Sequence, residues 1–225
     1  SPLSGYGEMG NVFGGFGVGA GGWYYLENQM AIITSRPLIE KTLDELDFNV
    51  SFYNVGRVIT NESYKNAPFE LVWDKNHNQL AGIEFMIEVL PGNEIKLKAE
   101  ADAATIYNYA EGKVKGTQFG IQIDQTLKPG VKAEGENYSF TILLKENFKP
   151  NENVNYKFVF NTRDNLVNKY KNRISISKEN DESSVLTLTV RDFNALKAED
   201  FLNQHMEVYL RDNLEKKYRM ADRTI

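Results

Sequence analysis

The spacing of the apolar residues changes near Asn49, and this change constrains the fold more than any other feature of the chain. Before it, Leu38, Ile39, Leu43 and Leu46 recur on one face of a helical pattern. After it, apolar and β-branched residues alternate with polar ones in short runs, which is the spacing of β-strands. Because the two patterns occupy separate stretches, we predict a fold of the α+β class.

Residues 26–48 are predicted to form a helix that Pro37 interrupts. Proline has no backbone N–H to donate to the preceding turn, so it starts or kinks the second part, with Ser35 as the expected N-cap. We expect the break to separate a short first helix from a longer second one.

Turn-forming residues divide the remainder of the chain into short elements. Seven strands are predicted between residues 49 and 145, namely 49–60, 69–74, 82–90, 94–100, 104–110, 118–124 and 138–145. A strand at 156–161 precedes a short helix capped by Thr162, and two further strands at 173–178 and 183–191 are joined by a polar turn. A long final helix follows, with Asp192 or Asn194 as its N-cap.

These elements suggest a discontinuous domain. We expect a mixed or antiparallel sheet built from strands near residues 50, 70, 156, 175 and 187, covered by the first helix and the long C-terminal helix. Residues 26–74 and 149–225 would form this α/β domain, and residues 75–148 an inserted β-rich unit.

The first 25 residues are predicted to be a glycine-rich linker. Residues 1–22 contain nine of the seventeen glycines, and ordering such a segment costs much backbone entropy. Gly17, Gly19 and Gly22 have the spacing of a dinucleotide-binding turn, but no hydrophobic strand precedes them, so we predict no nucleotide cofactor.

Composition excludes several classes of function. The net charge is −5 and basic residues are not clustered, which argues against nucleic acid as a partner. The chain has no cysteine, so disulfides, thiolate metal sites and cysteine nucleophiles are impossible. The sequence contains no stretch of about 20 apolar residues, which is the length needed to span a bilayer.

The last helix carries two apolar stripes that are offset from each other. Ala198, Phe201, Leu202, His205, Val208 and Tyr209 share one face in the first half; Leu210, Leu214, Tyr218 and Ala221 follow in the second. A stripe that rotates midway indicates that the first half packs on its own domain and the second meets another subunit or helix. Leu210, Leu214, Tyr218 and Ala221 are therefore our candidate oligomer interface. Ile225 still continues this pattern, and we expect the helix to continue past it.

Three segments resemble a known family. The sequences "ENQMAIITSRPLIEKTLDELDFNVSFYNVGRV" and "ESYKNAPFELVWD", with "SSVLTLTVRDFNALKAEDFLNQHMEVYLRDNLEKKYRMADRTI" at the end, resemble the periplasmic region of Wzz-type chain-length determinants, the polysaccharide co-polymerases. Similarity is greatest to the Wzc-like branch, in which a tyrosine autokinase is fused. The resemblance covers most of residues 26–68 and 150–225.

This resemblance implies a location, partners and a mode of action. Members of the family carry two flanking transmembrane helices, assemble into homo-oligomeric rings at the periplasmic face of the inner membrane, and control chain length or export of capsular polysaccharide, exopolysaccharide or O-antigen. The implied partners are a polysaccharide polymerase or the export machinery. The resemblance also implies the polysaccharide itself as a partner. A kinase domain, where one exists, would lie beyond residue 225, and this stretch of chain is predicted not to be an enzyme.

No catalytic or metal-binding pattern is recognisable in the sequence. His77 lies in a polar turn and His205 on the last helix, without the spacing of a metal site, and we predict neither metal nor cofactor. Two alternatives remain open. A β-rich carbohydrate-binding or adhesion module would use Trp73 to stack on sugars, and a hydrolase would use paired carboxylates.

Overall fold

The computed structural model describes residues 20–146, 148, 154–178 and 185–222. It contains helices α1 (Ala20–Ile33), α2 (Arg36–Asp44), α3 (Arg163–Lys171) and α4 (Ala195–Asp222), and a 3-10 turn at Tyr64–Asn66. The predicted linker residues 1–19, the polar turn 179–183 and Ile225 lie outside the described residues.

Side-chain caps begin three of the helices. Ser35, Thr162 and Asn194 each accept a hydrogen bond from the backbone N–H three residues later, at 3.4, 3.3 and 3.1 Å. These bonds satisfy N–H groups that have no partner within the helix. The caps predicted at Ser35 and Thr162 are confirmed, and Asn194 rather than Asp192 caps α4.

The break between α1 and α2 falls where Pro37 predicts it. Pro37 occupies the first turn of α2, where its missing N–H costs nothing. The predicted order of lengths is wrong, however, because α1 has 14 residues and α2 has nine. Helix α1 already begins at Ala20, within the segment predicted to be a linker.

The strands agree with the predicted runs in most places. Three short strands, at residues 60–62, 79–81 and 132–135, were not predicted, and the two runs at 94–100 and 104–110 form one continuous strand. The strands are β1 (Val50–Val55), β2 (Thr60–Glu62), β3 (Phe69–Trp73), β4 (Gln79–Ala81), β5 (Phe85–Val89), β6 (Ile95–Asn108), β7 (Lys113–Leu127), β8 (Lys132–Gly135), β9 (Tyr138–Leu144), β10 (Asn155–Phe160), β11 (Ile174–Lys178) and β12 (Leu186–Val190).

The strands form three antiparallel sheets. The largest has the order β2-β1-β10-β5-β6-β4, with β7 pairing along the other edge of β6. A second sheet has the order β3-β9-β8, and β11 pairs only with β12. The expectation of a single sheet from strands near residues 50, 70, 156, 175 and 187 is therefore wrong, because these strands are distributed over the three sheets. The α+β class itself is confirmed.

An aromatic core joins the first two sheets. Phe85 of β5 stacks on Phe158 of β10 at 4.9 Å between ring centroids and meets Phe140 of β9 edge-on at 5.3 Å. All three side chains are buried. Strands β5 and β9 lie within residues 75–148, yet β5 pairs with β10 and β9 with β3. This β-rich stretch consequently shares its sheets and its core with the flanking strands.

A second core lies among the helices. The rings of Phe48, Tyr170 and Phe201 follow one another, with centroid distances of 5.6 and 4.1 Å. His205 continues the stack at 5.2 Å from Phe201. Helix α4 also packs on the β11–β12 hairpin through Val208 and Leu188, so the predicted covering of a sheet by the C-terminal helix is confirmed.

Helices α1 and α4 pass each other in opposite directions. Tyr209 donates a hydrogen bond to Gln29 at 2.5 Å, and His205, one turn earlier, contacts the carbonyl oxygen of Ile33 at 2.8 Å. The residue numbers of these contacts therefore increase along α1 as they decrease along α4, so the two helices are antiparallel. The beginning of α1 and the end of α4 consequently lie at the same pole of the molecule.

Gln79 connects the two sheets through its side-chain amide. Its Nε2 donates to the carbonyl oxygen of Ser139 at 2.9 Å, and its Oε1 accepts from the N–H of Ser139 at 3.1 Å. Gln79 is completely buried. The Gln79 amide thus makes the two hydrogen bonds to Ser139 of β9 that a neighbouring strand would otherwise make, and it satisfies two buried backbone groups.

We predict that Gln79→Leu lowers the free energy of unfolding by about 2 kcal/mol, because it leaves both backbone groups of Ser139 without a partner in the core. Gln125→Leu is the matched control, since Gln125 donates one bond to the hydroxyl of Tyr138 in a partly exposed position. Urea denaturation measures both variants. Equal losses in the two variants would contradict this role for Gln79.

Candidate functional site

The structure separates the four predicted interface residues into two groups. Leu210 packs on the cluster that contains Ile33 and Val208, so it faces its own domain. Leu214 and Tyr218 are 46% and 69% exposed, and Ala221 is also exposed. These last three residues follow a spacing of four and three positions and lie on one face of the helix.

Ion pairs hold the middle of α4 on the domain. Lys41 of α2 pairs with Asp212 at 2.6 Å, and Glu45 pairs with Arg211. Every residue from Leu214 to Asp222 is exposed. Because α4 has 28 residues, it is about 42 Å long, and its last nine residues extend for about 13 Å. The first half packs on the domain, as predicted from Phe201, His205, Val208 and Tyr209.

The other end of α4 contains a buried charge that the sequence analysis did not identify. Lys197 is 1% exposed, and its ammonium group forms an ion pair with Glu62 of β2, whose side chain is 7% exposed. The Lys197 Nζ also lies 3.4 Å from the hydroxyl oxygen of Ser51 and 4.8 Å from the ring centroid of Phe48. Burial lowers the pKa of Lys197, and the Glu62 carboxylate opposes that change.

Further ionic groups surround this pair. Lys169 of α3 lies 3.7 Å from Glu62, and Asn194 donates to the backbone carbonyl of Glu62 at 3.0 Å. Nearby, Arg173 pairs at 2.6 Å with the fully buried carboxylate of Asp192. The network therefore ties β2, α3 and the start of α4 together. Since each buried charge has a partner, the arrangement is typical of a structural site rather than a reactive one.

His205 occupies the junction between α1, α2 and α4. It is fully buried; its Nε2 lies 2.8 Å from the Ile33 carbonyl and its Nδ1 2.8 Å from the hydroxyl of Thr42. A carbonyl only accepts, so Nε2 carries the proton, and Nδ1 of the neutral ring faces the Thr42 hydroxyl as an acceptor. That hydroxyl also lies 2.8 Å from the carbonyl oxygen of Leu38, so two acceptors compete for its single proton. Burial lowers the pKa of His205, although the bond to Ile33 partly opposes the change. This histidine is a packed core residue.

Trp73 does not lie on an open surface. Its ring meets those of Tyr109 and Phe160 edge-on, at centroid distances of 4.8 and 5.1 Å, and it packs against the aromatic core. A carbohydrate-stacking platform needs an open aromatic face. The carbohydrate-binding alternative therefore gains no support from the position of this residue.

A groove of about 370 Å³ lies between β1 and β3. Phe52, Phe69 and Leu71 are among its apolar lining residues, and charged residues of both signs also line it: Asp47, Lys65, Glu70 and Lys145. Two cations and two anions balance one another. The electrostatics of the groove thus favour no particular ligand class.

The described residues contain no recognisable metal centre. His77 lies in its predicted turn, with Nδ1 2.7 Å from the carbonyl of Asn78. Within the described ranges, no three His, Asp or Glu side chains come together as metal ligands. None of the helices there is both long and apolar enough to cross a bilayer.

The buried lysine had a signal in the sequence. Lys197 precedes Phe201 by four residues and His205 by eight, so it lies on the same helical stripe as these core residues. A charged residue on a buried stripe requires a compensating partner. The sequence could not identify that partner, because Glu62 is 135 positions away.

Comparison with known proteins places no further constraint on the site. The sequence matches no protein-family model and no curated protein.

We predict that Glu62→Gln lowers the free energy of unfolding by about 3 kcal/mol, because it leaves the buried ammonium of Lys197 without a counter-charge. Replacing both residues, Glu62→Gln with Lys197→Met, should recover most of the loss. Glu215→Gln removes an exposed pair with Arg219 and should leave stability almost unchanged. Denaturant titration of the four proteins tests this, and a neutral Glu62→Gln variant would argue against the pairing.

We also predict that acid destabilises the protein partly through His205. Its folded-state pKa is lowered, so the unfolded chain binds the proton first as the pH falls below about 6.5. The stabilising contribution is complete above that pH and is lost towards the folded pKa, by at most about 1.4 kcal/mol per pH unit. The free energy of unfolding, plotted against pH between about pH 7.5 and pH 5, should therefore change less steeply for His205→Gln than for the unmodified protein. Parallel curves for both proteins would exclude this contribution.

Proposed function

We propose that this chain is the periplasmic assembly domain of an inner-membrane polysaccharide co-polymerase of the Wzz type, related to the Wzc-like branch. In this role the domain carries no active site. It regulates the length or export of a capsular polysaccharide, exopolysaccharide or O-antigen through an oligomeric ring and its contacts with a polymerase or export partner.

The relative direction of α1 and α4 is the observation that carries the proposal. The Tyr209–Gln29 and His205–Ile33 contacts place the start of α1 and the end of α4 at one pole. A periplasmic domain held between two membrane-spanning helices needs this geometry, because both of its connections must lead to the same bilayer.

The exposed end of α4 supplies the assembly surface in this proposal. Leu214, Tyr218 and Ala221 form an apolar face beyond the last inter-helical ion pair, between Lys41 and Asp212. An apolar helical face at this position fits association with another subunit. Leu210 contributes by fixing the helix on its own domain.

The first experiment measures the cellular function. In the full-length protein, we expect Leu214→Glu combined with Tyr218→Glu to alter the length distribution of surface polysaccharide on gels, because buried charges disfavour subunit contact. Val114→Glu is the control, since Val114 is a 59% exposed residue on β7, and β7 lies at the opposite side of the large sheet from β2, which α4 contacts through Lys197. If deletion of the gene leaves polysaccharide length and export unchanged, the proposed function is wrong.

Cysteine cross-linking tests the assembly surface directly. Residues 1–225 contain no cysteine, so Tyr218→Cys introduces the single thiol of this part of the protein, and any cysteine elsewhere in the full-length protein is replaced by serine. In native membranes, a bifunctional maleimide, which spans the offset between equivalent residues of neighbouring ring subunits, should link most of the full-length Tyr218→Cys protein into dimers or larger species, whereas Val114→Cys should not be linked. Cross-linking of neither variant, with a monomeric mass in mild detergent, would rule out this surface.

A further inference from the structure

Four large apolar side chains are exposed at the end of the molecule where α4 begins. Val58 and Ile59 lie in the turn between β1 and β2 and are 93% and 64% exposed. Phe193 lies in the loop before α4 and Leu196 in its first turn, with exposures of 95% and 47%. We call Val58, Ile59, Phe193 and Leu196 the loop patch.

Contacts along α4 place both loops at the same pole. Thr42 contacts His205, Ser51 contacts Lys197, and the carbonyl of Glu62 accepts from Asn194. Strand β1 therefore runs towards the first residue of α4, and the turn at Gly56–Ile59 extends past it. This pole is opposite to the one where α1 begins and α4 ends.

Hydrogen bonds and an ion pair fix the two loops that carry the loop patch. The turn is closed by a hydrogen bond of 3.0 Å from Gly56 N to Ile59 O. Glu62, three residues later, is fixed by Lys197, and Asn194 holds the second loop to the same strand. These contacts fix the backbone of both loops, so the apolar side chains are exposed although the loops that carry them are held in place.

Three arginines lie beside the loop patch, although the whole chain is acidic. Arg57 lies beside Val58, Arg191 precedes Phe193 by two residues, and the guanidinium of Arg173 is 5.6 Å from the ring centroid of Phe193. The acidic residues in 56–62 and 191–196 are Glu62 and Asp192, and both are ion-paired. Arg57 and Arg191 pair with no carboxylate among the described residues.

This combination fits one kind of partner. Apolar side chains that are exposed at loop ends beside arginines can insert among lipid chains while the arginines contact anionic headgroups. We propose that the loop patch is a membrane-interface contact site that binds the surface of an anionic bilayer. The inference does not depend on the proposed polysaccharide function. In that function the chain connects to its own membrane at the opposite pole, so the loop patch would contact the surface of a second bilayer.

Vesicle co-sedimentation of the 225-residue chain tests this site. We expect binding to phosphatidylcholine vesicles that contain about 30% phosphatidylglycerol, weaker binding to phosphatidylcholine alone, and loss of binding as salt rises from about 0.05 to about 0.5 M. Phe193→Ser should lower the partition coefficient about tenfold, and Val58→Ser with Ile59→Ser by a similar factor, because inserted apolar surface is lost.

Phe119→Ser is the matched control, since Phe119 is 75% exposed on β7, away from the arginines. It should leave vesicle binding unchanged, and circular dichroism should confirm that every variant is folded. Absence of binding, or equal losses for Phe119→Ser and Phe193→Ser, would overturn the inference. Self-association that Phe193→Ser abolishes, without vesicle binding, would overturn it too and identify a protein–protein surface instead.

Discussion

The pairing of Lys197 with Glu62 is the interaction on which the arrangement of the helices over the sheet depends. An ammonium group that is 1% exposed needs a counter-charge, and Glu62 of β2 supplies the carboxylate that pairs with it. The pair therefore fixes the first turn of α4 against the β1–β2 hairpin. Through Lys169 and the Asp192–Arg173 pair, α3 and the loop before α4 are fixed with it.

Helix α4 relates the two ends of the molecule to each other. At its beginning, the ionic network supports loops that expose Val58 and Phe193. In its middle, His205 and Tyr209 hold α1 in the opposite direction. At its end, Leu214 and Tyr218 face solvent. A single helix of about 42 Å thus carries the proposed assembly surface at its end and the proposed lipid contact at its beginning, so the two sites lie at opposite poles.

Local features of the fold were predictable, and pairings between distant strands were not. Caps at Ser35 and Thr162 and the break before Pro37 depend on neighbouring residues, so the sequence shows them directly. Strand partners depend on contacts across long sequence separations. Strand β3 pairs with β9 instead of joining β1, because the aromatic core that holds these two sheets together is formed from side chains far apart in the chain. The pairing of β11 with β12 was predictable from the polar turn between them, but their separation from the larger sheets was not.

The sequence by itself determined the α+β class, the position of most helices and strands, and the division of α4 into a packed and an exposed half, because each is encoded in the spacing of apolar residues. Only the tertiary structure decided which charge compensates Lys197, that Trp73 packs into the core, that Leu210 faces its own domain, and that Phe193 shares a pole with Val58. These outcomes follow from which distant segments meet, and periodicity along one segment holds no information about its partner.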